Sequence, residues 1–141
     1  IFWELLEKYP SSSYAEWLLC KGDISSSKEY IKNHYFQDEI GIYVNKKPWE
    51  NQHPKAVESR KETKRHIEAI MKVMENHKNS KCYSYYLLDG IKSYLTLGEF
   101  EKVCIILKAL DSLEPKDEIE SIIKEKAKRY INALNKYYYC R

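Results

Sequence analysis

The sequence predicts an all-α protein with a single domain, built from about six helices and one long irregular loop. The 141 residues include only 4 glycines and 4 prolines, about half the average share of these helix-breaking residues. Valine and threonine, which favour strands, occur only 4 and 2 times. Helix-capping patterns recur along the chain. A chain of this length buries about 69% of its surface on folding, which is enough for a hydrophobic core.

The N-terminal part is predicted to hold a short helix followed by a weak helix pair. The first helix covers Phe2–Lys8 and stops before Pro10, because proline lacks the N–H that a continuing helix needs. The pair covers residues 11–35 and turns at Gly22, since glycine readily adopts the left-handed conformation that ends helices. Each helix of the pair begins with an N-cap serine followed three residues later by an acid: Ser13 with Glu16, and Ser26 with Glu29.

Residues 36–54 are predicted to form one irregular loop. Residues that disfavour helix interrupt this segment at short intervals: Gly41, Asn45, Pro48, Asn51 and Pro54. A short extended piece is expected at Ile40–Val44. Loops of about nineteen residues are uncommon inside compact domains and often have a functional role.

The rest of the chain is predicted to be helical. A charged helix covers residues 55–78 and carries apolar residues at helical spacing: Ile67, Ile70, Met71 and Met74. A helix pair covers 81–115, with helices over 81–97 and 99–113. A capping helix covers 117–139, where one apolar stripe lies opposite a charged face. Asp117 followed by Glu120 marks the start of this last helix.

Residues 85–115 resemble one tetratricopeptide repeat (TPR), a unit of two antiparallel helices joined by a tight turn. The matching residues have the spacing of that repeat: Leu87 and Tyr94 on the first helix, Gly98, Glu99 and Phe100 in the turn, Val103 and Leu107 on the second helix, and Pro115 at its end. Gly90 and Ile91 reverse the usual Leu-Gly order, and Leu110 replaces a small residue. A fainter copy covers residues 11–34. The resemblance implies helix pairs stacked as a short right-handed superhelix.

The resemblance also implies that the chain binds a protein or a peptide. The first helix of each TPR pair lines a concave groove, which here gives these candidates: Ser12, Glu16 and Leu19 in the first copy, and Tyr85, Leu88, Lys92 and Leu95 in the second. Repeats that clamp a C-terminal carboxylate use Lys, Asn and Arg, and only Lys92 matches that set. An apolar or amphipathic peptide is therefore the expected ligand. We expect an adaptor, a scaffold or the peptide-sensing part of a larger protein. The sequence predicts no particular oligomeric state.

A second hypothesis is that the chain contacts nucleic acid. Residues 44–82 carry 10 basic and 5 acidic side chains, and the cations suited to phosphate contacts cluster early in the charged helix: Lys55, Arg60, Lys61, Lys64 and Arg65. Glu58 and Glu62 are interleaved with them, which is also typical of a solvated helix face. A formal net charge of +3 is small for a dedicated nucleic-acid binder. Protein binding is therefore the favoured hypothesis.

No pattern in the sequence indicates catalysis, a metal site or a cofactor. The four histidines have no metal-binding spacing, and the four glycines form no phosphate-binding loop. The longest apolar run, Val103–Leu107, has five residues, against about 18 or more for a membrane span. We therefore expect a non-enzymatic protein without cofactor or membrane span. Because the chain begins at Ile1 and not at methionine, we expect it to be part of a longer protein.

The four cysteines are expected to be reduced. They are widely spaced and form no CxxC pattern: Cys20, Cys82, Cys104 and Cys140. This spacing lacks the density of a small disulfide-stapled secreted domain. Cys104 is predicted to lie in the core, and Cys20 and Cys140 are predicted to be exposed thiols. An intracellular location follows, in the cytoplasm or the nucleus.

Overall fold

The computed structural model describes residues 2–21, 28–35, 38–137 and 139–140, and these residues form a helical fold. They contain no β-strand, which confirms the predicted all-α class. This part of the chain holds eight α-helices: α1 (Phe2–Lys8), α2 (Ser13–Cys20), α3 (Lys28–Asn33), α4 (Glu39–Lys46), α5 (Pro54–Asn76), α6 (Tyr83–Leu97), α7 (Phe100–Asp111) and α8 (Glu118–Asn135). A 3₁₀ helix, Pro48–Glu50, lies between α4 and α5.

Most of the predicted helices are confirmed to within four residues at each end. α1 has its predicted bounds, and α5, α6, α7 and α8 differ from prediction only at their ends. Strongly periodic apolar residues specify these helices, because each needs to bury one face. The predicted turn at Gly22 and the predicted N-cap Ser26 lie outside the described residues.

Side-chain caps fix the first turn of α2 and of α8. The Asp117 carboxylate accepts a hydrogen bond from the Glu120 backbone N–H at 2.9 Å, which confirms the predicted start of α8. α2 is capped by the Ser12 hydroxyl, which accepts from the Ala15 backbone N–H at 3.0 Å. The predicted cap at Ser13 is therefore wrong by one residue. An N-cap of this kind stabilises a protein by about 1 kcal/mol.

The prediction of an irregular loop over residues 36–54 is wrong. α4 and the 3₁₀ helix occupy much of this segment, so Ile40–Val44 is helical and not extended. The reason is that the apolar residues of α4 recur at helical spacing and pack on the main core: Ile40, Tyr43 and Val44. Their burial outweighs the low helix propensity of Gly41. The residue after α4 is Lys47, whose left-handed φ of 48° ends the helix.

α6 is the central helix of the fold. It packs against α5 on one side and α7 on the other, and α8 packs against both α7 and α6. Neighbouring helices joined by short turns run antiparallel, so α5 to α8 form a stack of antiparallel helices. α1 and α2 pack on α5, while α3 and α4 pack on α8. The N-terminal helices thus cover the first and the last helix of the stack.

Two hydrophobic clusters hold this arrangement together. The larger lies mainly between α6, α7 and α8, and its members include Leu88, Leu107 and Tyr130. The smaller joins α1 and α2 to α5, and its members include Leu6 and Val73. Fully burying an aliphatic side chain contributes about 1.5–3 kcal/mol, so α1 and α2 are integral parts of the fold.

Two glycines set how closely the elements around α6 approach one another. Gly90 lies where α6 meets α5, and a Cβ there would stand 3.1 Å from the Cδ1 of Ile67 and 3.2 Å from the Cε of Met71. Gly98 ends α6 with a φ of 72°. A Cβ on Gly98 would stand 2.7 Å from the indole ring of Trp49. The turn between α6 and α7 therefore requires glycine for both conformation and space.

The expectation of reduced cysteines is wrong. Cys20 is bonded to Cys82, which joins the end of α2 to the start of α6. Cys104 is bonded to Cys140, which joins α7 to the chain beyond α8. The bonded cysteines are 62 and 36 residues apart in sequence. They meet only because the helices stack, so their spacing along the chain carries no signal of the pairing.

We predict that removing the first disulfide lowers stability. The double substitution Cys20→Ala with Cys82→Ala should lower the free energy of unfolding by about 2–4 kcal/mol, because the bond restricts the unfolded chain. The measurement is urea unfolding without reductant. In the presence of reductant the variant and the wild-type protein should have similar midpoints. Four free thiols in the untreated native protein would contradict the pairing.

We also predict that Gly98→Ala is more destabilising than Gly90→Ala. A left-handed alanine that meets an indole ring should lower the free energy of unfolding by about 1–3 kcal/mol. At Gly90 the added methyl meets only the flexible ends of two side chains, and alanine favours helix, so the change should stay within about 1 kcal/mol. Thermal unfolding followed by circular dichroism compares the two variants. Equal midpoints would contradict the stated role of Gly98.

Candidate functional site

The four groove candidates of the second repeat-like segment share one side of α6, which we call the Lys92 face: Tyr85, Leu88, Lys92 and Leu95. Leu88 and Leu95 are 0% and 1% exposed, so the expectation that they line an open groove is wrong. Tyr85 and Lys92 are half-buried. The ammonium of Lys92 lies 3.2 Å from a carboxylate oxygen of Glu39 on α4. The chain itself therefore occupies the Lys92 face.

Tyr35, which follows α3, fills the centre of the Lys92 face. Its ring lies under the Lys92 ammonium, 4.5 Å from the ring centroid, and its hydroxyl donates to Asp89 at 3.2 Å. The residue has a left-handed φ of 63°, a strained conformation for a tyrosine. Burial, and then the nearby Asp89 carboxylate, raise the pKa of the Tyr35 phenol above its usual range. These contacts hold Tyr35 on α6.

Polar contacts also hold α3 on α8. The Lys28 ammonium lies 2.7 Å from a carboxylate oxygen of Glu118, and the Lys126 ammonium donates to the backbone carbonyl of Lys32 at 3.1 Å. Lys126 is only 7% exposed, and burial lowers the pKa of its ammonium. A buried lysine must keep hydrogen-bond partners to remain charged, so α3 is a structural partner of α8.

The candidates from the first repeat-like segment likewise make intramolecular contacts. The Glu16 carboxylate lies 2.7 Å from Nδ1 of His77, the residue that follows α5. Leu19 packs against the smaller cluster, and its backbone carbonyl accepts from the Tyr86 hydroxyl at 2.7 Å. Together with the Ser12 cap, these residues position α2 on the stack.

The basic residues of the nucleic-acid hypothesis all lie on the first half of α5. Three of them have partners within the chain: Arg65 with Glu7 at 2.8 Å, Lys64 with Glu99 at 3.8 Å, and Arg60 with the carbonyl of Pro48 at 3.0 Å. Lys55 and Lys61 are exposed. Intramolecular acids thus offset part of the positive charge that would attract phosphates.

An open apolar groove lies on the opposite side of α6, between α5 and α7. Its apolar lining comes from all three helices: Met71 and Met74, Tyr83, Leu87 and Tyr94, and Ile105, Ile106 and Ala109. Its volume is about 590 Å³. Successive helical residues are rotated by about 100°, which places Leu87 and Tyr94 together and roughly opposite Lys92. We call this surface the α5–α7 groove.

Ile105 is the most exposed large apolar residue of the α5–α7 groove. Its side chain is 62% exposed on α7, whereas Ile106 beside it is 7% exposed. Both methionines of the sequence also line the groove. Met74 is fully buried, whereas Met71 is partly exposed, and a flexible methionine side chain adapts to differently shaped apolar ligands. The groove therefore combines a buried floor with an accessible wall that includes Ile105 and Met71.

Charged side chains form the rim of this groove. The Lys102 ammonium lies 3.8 Å from Glu68 across the groove and 3.5 Å from Glu99 on its own side. It also lies 5.2 Å from the centroid of the Tyr94 ring. Burial, followed by Glu99 and Glu68, raises the pKa of the Tyr94 phenol to about 12. The Glu68–Lys102 pair bridges the groove at its Tyr94 end.

The sequence contained a weak signal of this groove. The apolar residues that face the core on α7 recur at helical spacing: Val103, Ile106, Leu107 and Leu110. Ile105 lies off that stripe, at a position where a polar residue is usual. A single exposed isoleucine is common at protein surfaces, so only the structure brings it beside the methionines of α5.

Comparisons of the chain with protein-family models, with curated proteins and with solved structures find no match. Among the described residues, no three His, Cys, Asp or Glu side chains converge on a metal position. No helix in the described part of the chain combines the length and apolar character that crossing a membrane requires.

The raised pKa of Tyr94 makes a prediction for alkaline stability. The folded state keeps this phenol protonated up to pH of about 12, while the unfolded chain releases the proton near pH 10. The unfolded state binds fewer protons in that interval, so stability falls as pH rises. Near pH 11, Tyr94→Phe should reduce this loss in the free energy of unfolding by about 1 kcal/mol, after a discount for partial solvation.

Urea unfolding at pH values from about 8 to 11 measures this effect. Tyr14→Phe is the matched control, because Tyr14 is 55% exposed, and it should follow the wild-type protein. If Tyr94→Phe loses stability with pH as steeply as the wild type, burial of the Tyr94 phenol in the folded state is contradicted.

Proposed function

We propose that this chain is a non-enzymatic protein-interaction module that binds a segment of another protein in the α5–α7 groove. The observation that carries the proposal is the open apolar groove with Ile105 exposed on its wall. Concave apolar surfaces with charged rims are typical of sites that bind peptides and helices. An adaptor, a scaffold or the peptide-sensing part of a larger protein fits this role.

The proposed site differs from the one that the TPR resemblance implied. We propose a TPR-like stack for α5 to α8, supported by the contacts of α6 with α8 in addition to those between successive helices. In such a stack α6 and α8 are the first helices of their pairs, and their shared side would be the concave binding surface. Here α3, α4 and Tyr35 cover that side. The groove on the other side of α6 is the one left open.

The compartment follows from the cysteines. Two disulfides favour an oxidising environment, because thiols in the cytoplasm and nucleus are kept reduced. We therefore propose an oxidising compartment in place of the cytoplasmic or nuclear location expected from cysteine spacing. The intramolecular partners of Arg60, Lys64 and Arg65 give no support to the nucleic-acid hypothesis.

We predict that peptides selected on this protein bind through Ile105. Phage-displayed random peptides would be enriched on the immobilised oxidised chain, and the enriched peptides synthesised for affinity measurement. Ile105→Glu places a charge in the apolar groove and should weaken binding at least tenfold. The matched control is Ile42→Glu, because Ile42 is a helical isoleucine that lies outside the groove and is 53% exposed. This variant should bind the peptides with an affinity within about twofold of the wild type.

Four results would contradict this function. The enriched peptides bind Ile105→Glu as tightly as the wild type, both variants weaken binding equally, or selection enriches no peptide. The fourth is tight binding of a single-stranded oligonucleotide whose affinity falls steeply with salt and is lost in Lys61→Glu with Arg65→Glu. Circular dichroism of each variant checks that it is folded.

A further inference from the structure

The lining of the α5–α7 groove restricts the conformation of its ligand. All of the apolar lining residues named above except Tyr83, which begins α6, lie inside α5, α6 or α7. The backbone N–H and C=O groups inside a helix are already paired with each other. The groove therefore offers side chains but no row of free backbone partners. An extended peptide would bury unpaired backbone groups there, whereas a helix satisfies its own.

The dimensions of the groove suit a short helix. Along α6 the lining runs from Tyr83 to Tyr94, which corresponds to about 16 Å at 1.5 Å per residue. Along α5 it runs from Glu68 to Glu75, about 10 Å at the same rise, and Lys78 lies just beyond the end of α5. The Glu68–Lys102 pair crosses the groove at the Tyr94 end. A ligand helix of about three turns fills this length.

The charges on the open part of the rim favour an acidic ligand. At one end Lys102 pairs with Glu68 and Glu99, and Glu99 also pairs with Lys64, so these charges offset one another. The remaining charged residues of the lining are Lys72, Glu75 and Lys78, and among the described residues none of these three forms an ion pair. Two cations against one anion leave a positive rim. Acidic residues beside the apolar stripe of a ligand helix would lie near Lys72 and Lys78.

We propose that the partner presents an amphipathic α-helix of about three turns whose apolar stripe is flanked by acidic residues. This inference rests on the proposed function and adds the conformation and charge of the ligand. The proposed helix belongs to a different protein, and each described helix of this chain already packs against a neighbour within the chain. Lys72 and Lys78 are the specificity-determining residues, and Ile105 with Met71 supplies the apolar contact.

The test uses three synthetic peptides of about twelve residues that differ only in charge. All three carry leucines at i, i+3, i+4 and i+7, and the flanking positions are Glu, Gln or Lys. Fluorescence anisotropy with the oxidised chain at low salt should show the Glu peptide binding at least tenfold more tightly than the Lys peptide. Added salt should narrow this difference, because it screens exposed charges.

Charge reversal identifies the responsible lysines. Lys72→Glu with Lys78→Glu should reverse the order of the Glu and Lys peptides. Lys55→Glu with Lys61→Glu is the matched control, because it makes the same change in net charge on exposed lysines of α5 that do not line this groove. This control should keep the Glu peptide the tightest ligand.

The outcomes separate this inference from the function on which it rests. If the three peptides bind equally and Ile105→Glu abolishes all binding, the acidic partner is wrong and the groove function stands. If no peptide binds, or if Ile105→Glu leaves binding intact, both are wrong. If sedimentation shows a dimer that Ile105→Glu dissociates, the occupant is a second copy of this chain and the inference is overturned.

Discussion

The two faces of α6 have different partners, and the rest of the structure depends on this difference. α6 can approach α5 closely because Gly90 has no side chain between Ile67 and Met71. On one side of α6, Leu88 and Leu95 lie in the main core. On the other, Leu87 and Tyr94 belong to the same core, are 6% and 4% exposed, and form the buried floor of the α5–α7 groove.

The residues of α3, Tyr35 and α4 that cover the Lys92 face make both apolar and polar contacts. Ile31, Tyr35 and Ile40 are fully buried, while Lys92 and Asp89 of α6 bind Glu39 and Tyr35. Undocking these residues from the stack would expose three large side chains, each worth about 1.5–3 kcal/mol when buried, and would leave Lys92 and Asp89 without these partners. These magnitudes approach the whole stability of a small domain. The covered face is therefore a structural interface and not a vacant binding surface.

The helices with long apolar stripes could be predicted from sequence, because residues three and four apart lie on the same helix face. α5 and α8 are of this kind. α4 could not be predicted, since its eight residues include Gly41 and Asn45. Its short apolar stripe favours a helix only because it packs against the main core. The same limit applies to the candidate site. Repeat spacing located α6 and α7 well, but which face of α6 is open depends on α3 and α4, which lie more than thirty residues earlier.

The disulfides connect this architecture to binding. Cys82 immediately precedes Tyr83 at one end of the α5–α7 groove, and Cys104 immediately precedes Ile105 on its wall. Each bond therefore ties a lining helix to a distant part of the chain, α2 in one case and the segment after α8 in the other. A groove held in its binding shape loses less conformational entropy when a ligand enters. Because Ile105 stays 62% exposed in the fold, its apolar surface remains available to a ligand in this rigid groove.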